Sequence, residues 1–119
     1  MNNTYSFRAG EDLRDSTHRL IRLDESGYAV KANSNVVIGT LISPSHEGGI
    51  VGVRSLNEIF TCVANSAISV GDYVRLASRS GGRVLGDDKV EDGKTYLGQA
   101  VTGATGKDDT LSVVPCRLT

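Results

Sequence analysis

Ile21-Arg22-Leu23, a turn at Ser26-Gly27, Val30 and then Ile38-Gly39-Thr40-Leu41-Ile42 are answered later in the chain by Val74-Arg75-Leu76, a turn at Gly81-Gly82, Val84 and Leu97-Gly98-Gln99-Ala100-Val101. A polar, glycine-bearing loop follows each copy (43–49 and 102–109), and after it an alternating run, Ile50-Val51-Gly52-Val53 or Leu111-Ser112-Val113-Val114. The leading strands are offset by 53 residues and the internal glycines by 59, so the second copy has gained residues, mainly between Asp87 and Lys94. Two copies are too few for a solenoid, which needs about three repeats to bury a continuous core. The expected product is a compact all-β domain over 17–119, a small β-barrel or β-sandwich of two pseudo-symmetric repeats at about 20–54 and 73–114.

Working outward, alternation and β-branched content predict the remaining strands. Thr17 to Asp24 and Tyr28 to Ala32 form a hairpin, Asn33-Ser34-Asn35 breaks the run, and Val36 to Ile42 carries a glycine that marks a bulge or a close backbone approach. Leu56 to Ala64 fits both helical spacing (Leu56, Ile59, Phe60, Val63) and alternation (Ile59, Thr61, Val63), and its β-branched and aromatic residues favour a strand. Tyr73 to Ala77, Arg83 to Leu85, Tyr96 to Thr102 and Thr110 to Leu118 complete the set. The first 16 residues hold only Tyr5, Phe7 and Leu13 as bulky apolar side chains, and read as an extended N-terminal arm, either frayed or ordered on a partner.

The 119 residues suffice for one hydrophobic core. A formal net charge of −1 provides no basic field for a phosphate backbone, so no nucleic acid is expected. The N-terminal residues show neither the basic start nor the apolar stretch of a secretory signal, and 36–42 is too short to span a bilayer; no membrane is expected. Without a secretory route, the sequon Asn2-Asn3-Thr4 carries no weight.

Catalytic equipment is sparse. His18 and His46 lack cysteine or carboxylate companions at metal-ligand spacing, and read as surface or turn residues. Cys62 and Cys116 sit in apolar runs as small hydrophobes, a disulfide between them needing close geometry and an oxidising compartment. Ser45-His46-Glu47 collects a hydroxyl, an imidazole and a carboxylate, but adjacent residues do not converge on one reacting atom. The acidic stretches 87–93 and 107–109 lack calcium-loop spacing, and no glycine-rich loop matches a phosphate-binding pattern. Neither catalytic residues, nor a metal, nor a cofactor is assigned.

The ordered motifs do carry a resemblance. The Asp24 to Gly27 turn, Ile38 to Leu41, Gly48 to Val51, Ile-Ser-x-Gly-Asp-x-Val from Ile68 to Val74, Gly81 to Val84 and Leu97 to Ala100 are together similar to the small capsid decoration, or cement, proteins of tailed bacteriophages. The likeness runs from about Leu20 to Val114 and departs from the family pattern at 56–62 and 87–94. It implies a non-enzymatic structural protein, made in the host cytoplasm and placed on the outer surface of an icosahedral head. There it would clamp neighbouring major capsid subunits, often as a homotrimer, with Tyr5, Phe7, Arg8 and Leu13 as contact candidates. Removing residues 1–16 is then expected to abolish capsid binding and spare the fold. Two other classes remain open at this level. A carbohydrate-binding β-sandwich would want exposed aromatic platforms from a chain with no Trp, four Tyr and two Phe. A small hydrolase or isomerase would lose turnover on changing His18 or His46.

Overall fold

Five strands from each half of the chain build two separate antiparallel sheets, with no strand exchanged between them. The structure, a computed structural model, describes residues 4–33 and 36–115. Its first half contains β1 (Thr4–Arg8), β2 (Leu20–Leu23), β3 (Ala29–Lys31), β4 (Gly39–Ser43) and β5 (Ile50–Arg54). The second contains β6 (Phe60–Val63), β7 (Tyr73–Leu76), β8 (Val84–Asp87), β9 (Gly98–Ala100) and β10 (Thr110–Pro115). The strand orders are β1-β5-β4-β2-β3 and β6-β10-β9-β7-β8, which is one topology used twice. Neither sheet closes into a barrel; the arrangement is sandwich-like. A single parallel bridge brings the two edges of each sheet together, Ala9 to Ala29 in the first and Ala64 to Val84 in the second.

The registers superpose residue by residue. Ile21 lies opposite Gly39 as Val74 lies opposite Gly98, and Leu41 opposite Val53 as Ala100 lies opposite Val113. Both glycines are required by a close approach. A Cβ on Gly39 would fall 2.1 Å from the Arg54 carbonyl oxygen, and one on Gly98 would fall 2.1 Å from that of Val114. The turns follow from local chemistry: Asp24 Oδ1 accepts from the Ser26 and Tyr28 amides, each at 2.9 Å, while Gly27 takes φ +82°. This closes the β2–β3 hairpin.

Two apolar clusters fill the molecule. One belongs to the first repeat alone and contains Ala9, Leu13, Ile21, Ala29, Leu41, Val51 and Val53. The other gathers Phe60, Cys62, Ile68, Val74, Val84, Leu111 and Val113 of the second repeat with Leu20 and Ala32 of the first. Consecutive residues Leu20 and Ile21 therefore point into different clusters, burying β2 on both faces. At that seam the Leu20 amide donates to the Gly82 carbonyl at 2.9 Å. A Cβ on Gly82 would meet the Leu20 carbonyl oxygen at 2.5 Å, and its φ is +84°, so glycine is needed there twice over.

The N-terminal segment corrects the expectation of an extended arm. Thr4 to Arg8 pairs with Ile50 to Arg54 along its whole length, and Ala9 and Leu13 are fully buried. The segment draws its apolar partners from β5 and from the first cluster, which a count of its own hydrophobic residues does not reveal. Over 56–64 the strand begins only at Phe60. Its inward residues are Phe60 and Cys62, opposite Val113 and Leu111, while Ile59 is exposed, one register position away from the Ile59-Thr61-Val63 alternation. The sequon asparagines Asn2 and Asn3, the break residues Ser34 and Asn35, Cys116 and Leu118 lie outside the described residues. Among those described, no helix is long and apolar enough to cross a membrane.

Candidate interaction surfaces

Strand β1 is an edge strand, and it distributes the four contact candidates unevenly. Tyr5 and Phe7 lie opposite Val53 and Val51, on the side that faces the first cluster. Phe7 packs against that cluster, whereas Tyr5 remains 54% exposed. Arg8 is exposed and donates from Nη1 to the Gly48 carbonyl at 2.8 Å. Leu13 has no exposed surface, and its amide donates to the Ser45 carbonyl at 3.0 Å, so it is a core residue and offers no contact. The exposed pair Asp12 and Arg14 fixes the chain beside it. Three nitrogens of Arg14 bond to the Asp12 carboxylate, holding its pKa down to about 2. What β1 presents outward is thus a backbone edge with Tyr5 and Arg8, the kind of edge to which another strand can add.

A second surface lies at the seam between the repeats. Asp108 Oδ1 accepts from Arg83 Nε at 2.7 Å and lies 3.7 Å from Arg19 Nη2, and Arg19 Nη1 donates to the Gly81 carbonyl at 3.0 Å. Through Arg19, which immediately precedes β2, these bonds tie the 77–83 turn and Asp108 of the second repeat to the first. The Arg83 hydrogen bond holds the Asp108 carboxyl below its usual range. Beside them opens a cleft of about 420 Å³ lined by Arg22, Lys31 and Arg79 with Glu11 and Asn33. A smaller cleft of about 220 Å³ lies beside Arg75 in the second repeat, next to Ser78 and Lys94.

The acidic loop after β8 has a structural use that its charge alone conceals. Asp87 accepts from Arg75 Nε at 2.7 Å and from the Tyr96 hydroxyl at 2.9 Å, and that hydroxyl in turn accepts from the Glu91 amide at 3.0 Å. The Arg75 bond lowers the Asp87 pKa, and desolvation of the phenol raises that of Tyr96. Tyr96 also meets Tyr73 edge-on, with ring centroids 6.1 Å apart. Of this loop, Asp87 was expected to be solvated; the structure makes it a part-buried anchor.

The remaining reactive side chains are dispersed. Cys62 is a buried free thiol, and burial pushes its pKa up to about 12, which leaves it protonated and inert. His46 is exposed in its loop, and His18 is part-buried with φ +69°, its amide donating to the Leu41 carbonyl at 2.7 Å. Among the described residues, no three His, Cys, Asp or Glu side chains gather where they could hold a metal ion. Sequence reasoning missed the seam cleft because its cations are contributed from positions 22, 31 and 79. The available signal was the repeated Arg22 and Arg75, whose neighbours differ.

No protein-family model matches the chain, and a search of curated proteins finds no match. A solved structure does match: the N base of the head fiber gp8.5 in bacteriophage phi29 superposes with a TM-score of 0.77 at 19% identity, covering 100% of this chain and 99% of that one. The two chains share one fold from end to end.

Proposed function

We propose that this chain is a structural protein of a bacteriophage head. In this reading it binds the outer surface of the icosahedral capsid as a decoration or cement protein and stabilises contacts between major capsid subunits. The observation that carries the reading is the end-to-end fold match with a phage head fiber base, at a TM-score of 0.77 over essentially the full length of both chains. The decoration-like order of motifs from Leu20 to Val114 supports it independently.

The physics suits such a role. Two sheets joined through a shared cluster and the Asp108 ion pairs make a short, stiff bridge. Many copies of a modest interface resist separation of a shell multivalently, so no single contact need be strong. The contact surface is assigned to the β1 edge with Tyr5 and Arg8, and Phe7 supports it from beneath. The role is non-enzymatic, with a trimer as the expected arrangement on the capsid.

Co-sedimentation of the purified protein with mature heads and with unexpanded procapsids, read as copies per head alongside the mass of the free protein, tests this. Saturation at a fixed copy number related to the lattice is the expected result. Absence of binding to both particles, from a protein that is monomeric in solution, would overturn it.

A further inference from the structure

The twofold use of one topology provides an internal control for every side chain, and at one pair of equivalent arginines the surroundings differ in charge. Arg22 and Arg75 are equivalent, each following the residue that faces the strand glycine, Gly39 or Gly98. In the second repeat the residue opposite Tyr73 is Asp87, which binds Arg75 at 2.7 Å. In the first repeat the corresponding residue is Ala32, whose amide bonds to the Leu20 carbonyl at 2.8 Å and so continues the same ladder. The first repeat has kept the arginine and lacks its acid.

The consequence is visible at the atom. Arg22 Nε is removed from solvent and has no hydrogen-bond partner among the described residues. An unsatisfied guanidinium nitrogen is costly, because its hydration is lost with nothing in return. Around it the cleft adds two further cations, Lys31 and Arg79. Its single carboxylate, Glu11, is engaged by the Lys31 backbone amide at 2.7 Å. Arg79 is held in the left-handed region, φ +56°, in a turn where Gly81 and Gly82 are left-handed too. A long L side chain in that conformation is uncommon, and such strain is found where the surrounding structure imposes it. The Ser80 hydroxyl imposes it here by bonding across the turn to the Ala77 and Arg83 backbone.

We propose that this seam cleft binds a carboxylate from a partner protein, an aspartate or glutamate side chain that meets Arg22 from the cleft, beside Lys31 and Arg79, and neutralises it as Asp87 neutralises Arg75. A guanidinium fork matches a carboxylate in two-point geometry, and the equivalent site in the same chain is filled by that group. A net charge of −1 supplies no wider field for a polyanion, so the site takes one anionic group and its peptide surroundings. Only the identification of the donor as a head subunit rests on the proposed function; carboxylate recognition belongs to the free protein.

The test is a titration of the full chain, at low salt and followed by NMR, with the peptide acetyl-Gly-Glu-Gly-amide, with glutarate and with inorganic phosphate. Saturable binding of peptide and glutarate, shifting the Arg22 and Arg79 side-chain signals, is expected. Arg22→Gln and Arg79→Gln should each weaken it at least about tenfold, the scale of a lost charge-assisted hydrogen bond. Arg14→Gln, whose arginine is paired on the surface with Asp12, should leave it unchanged. Arg79 is exposed, so its substitution tests the site even if Arg22→Gln perturbs folding. The proposal is overturned by absence of saturable binding, by binding that survives both substitutions, or by phosphate binding without the peptide. Peptide binding in a protein that ignores heads would sink the head reading and leave this one standing.

Discussion

The two repeats share a strand order, a register and a strand glycine closely approached by the neighbouring backbone, yet they solve their boundaries differently. Tyr5 and Phe60 occupy equivalent positions, opposite Val53 and Val113. Phe60 is 3% exposed within the cluster that the two repeats share, while Tyr5, on the edge of the first sheet, is 54% exposed. Arg75 is neutralised by Asp87 within its own sheet, while Arg22 Nε has no hydrogen-bond partner among the described residues. The two backbones follow one plan, and these contrasts fall where a surface of one copy is not a surface of the other. The first repeat therefore carries the unfinished groups, and the second provides the finished versions against which to read them.

The largest expected effect comes from removing residues 1–16. The second repeat cannot lose β6 without breaking the chain, but the first can lose β1, and with it the burial of Ala9 and Leu13. Since a buried leucine alone contributes about 2–5 kcal/mol, the loss should approach the whole stability of a small domain. Circular dichroism and amide exchange should show the first sheet unprotected. A truncated protein of native stability would restore the view of this segment as a dispensable arm.

Next comes the pair Phe60→Ala and Tyr5→Ala. The first should cost about 3–5 kcal/mol in urea unfolding and the second less than about 1 kcal/mol, because only Phe60 leaves a cavity. Equal costs would mean that Tyr5 is as enclosed as its counterpart. A smaller contrast is expected between Arg75→Gln, which strands a part-buried Asp87 and should cost about 1–2 kcal/mol, and Arg22→Gln, which removes a nitrogen with no hydrogen-bond partner among the described residues and should not lower stability. If both are costly, Arg22 has an internal partner and the comparison fails at its main point.

The smallest effect is on acid stability. Asp87 and Asp108 have lowered folded-state pKa values, so their contribution is complete above the unfolded aspartate pKa of 3.8 and is lost as pH falls through the lower folded values. Asp87→Asn should flatten this acid limb in thermal melts recorded from pH 5 to pH 2, and Ala32 offers no counterpart in the first repeat. An unchanged acid limb would show that Asp87 and Arg75 are uncoupled in solution.

The fold was legible because its determinants are local and repeated. Leu23 and Leu76, Gly39 and Gly98, and the turns at Gly27 and Gly81 mark strands and reversals from sequence alone. β1 was hidden because its residues are mostly exposed; its strand character comes from pairing with β5, 40 or more positions away. Leu13 was taken for a contact residue for the same reason, since an isolated leucine among polar residues does not announce the cluster it enters. The site was least legible. That Arg22 Nε lacks a partner among the described residues depends on what does not lie beside it, and that requires knowing that Ala32 stands where the other sheet places Asp87.

Among the described residues every strand pairs only within its own half of the chain, and this has a consequence in time. By the time Arg54 clears a ribosome, every ladder partner of the first sheet has already been made. The second sheet follows over roughly 3–12 seconds at ordinary elongation rates of about 5–20 residues per second. Throughout that interval the nascent half can hold its own register while Leu20 and Ala32, destined for the shared cluster, wait uncovered. Two such halves on neighbouring ribosomes would present each other with the same sticky face, so the order of synthesis is also the period of greatest exposure to mispairing.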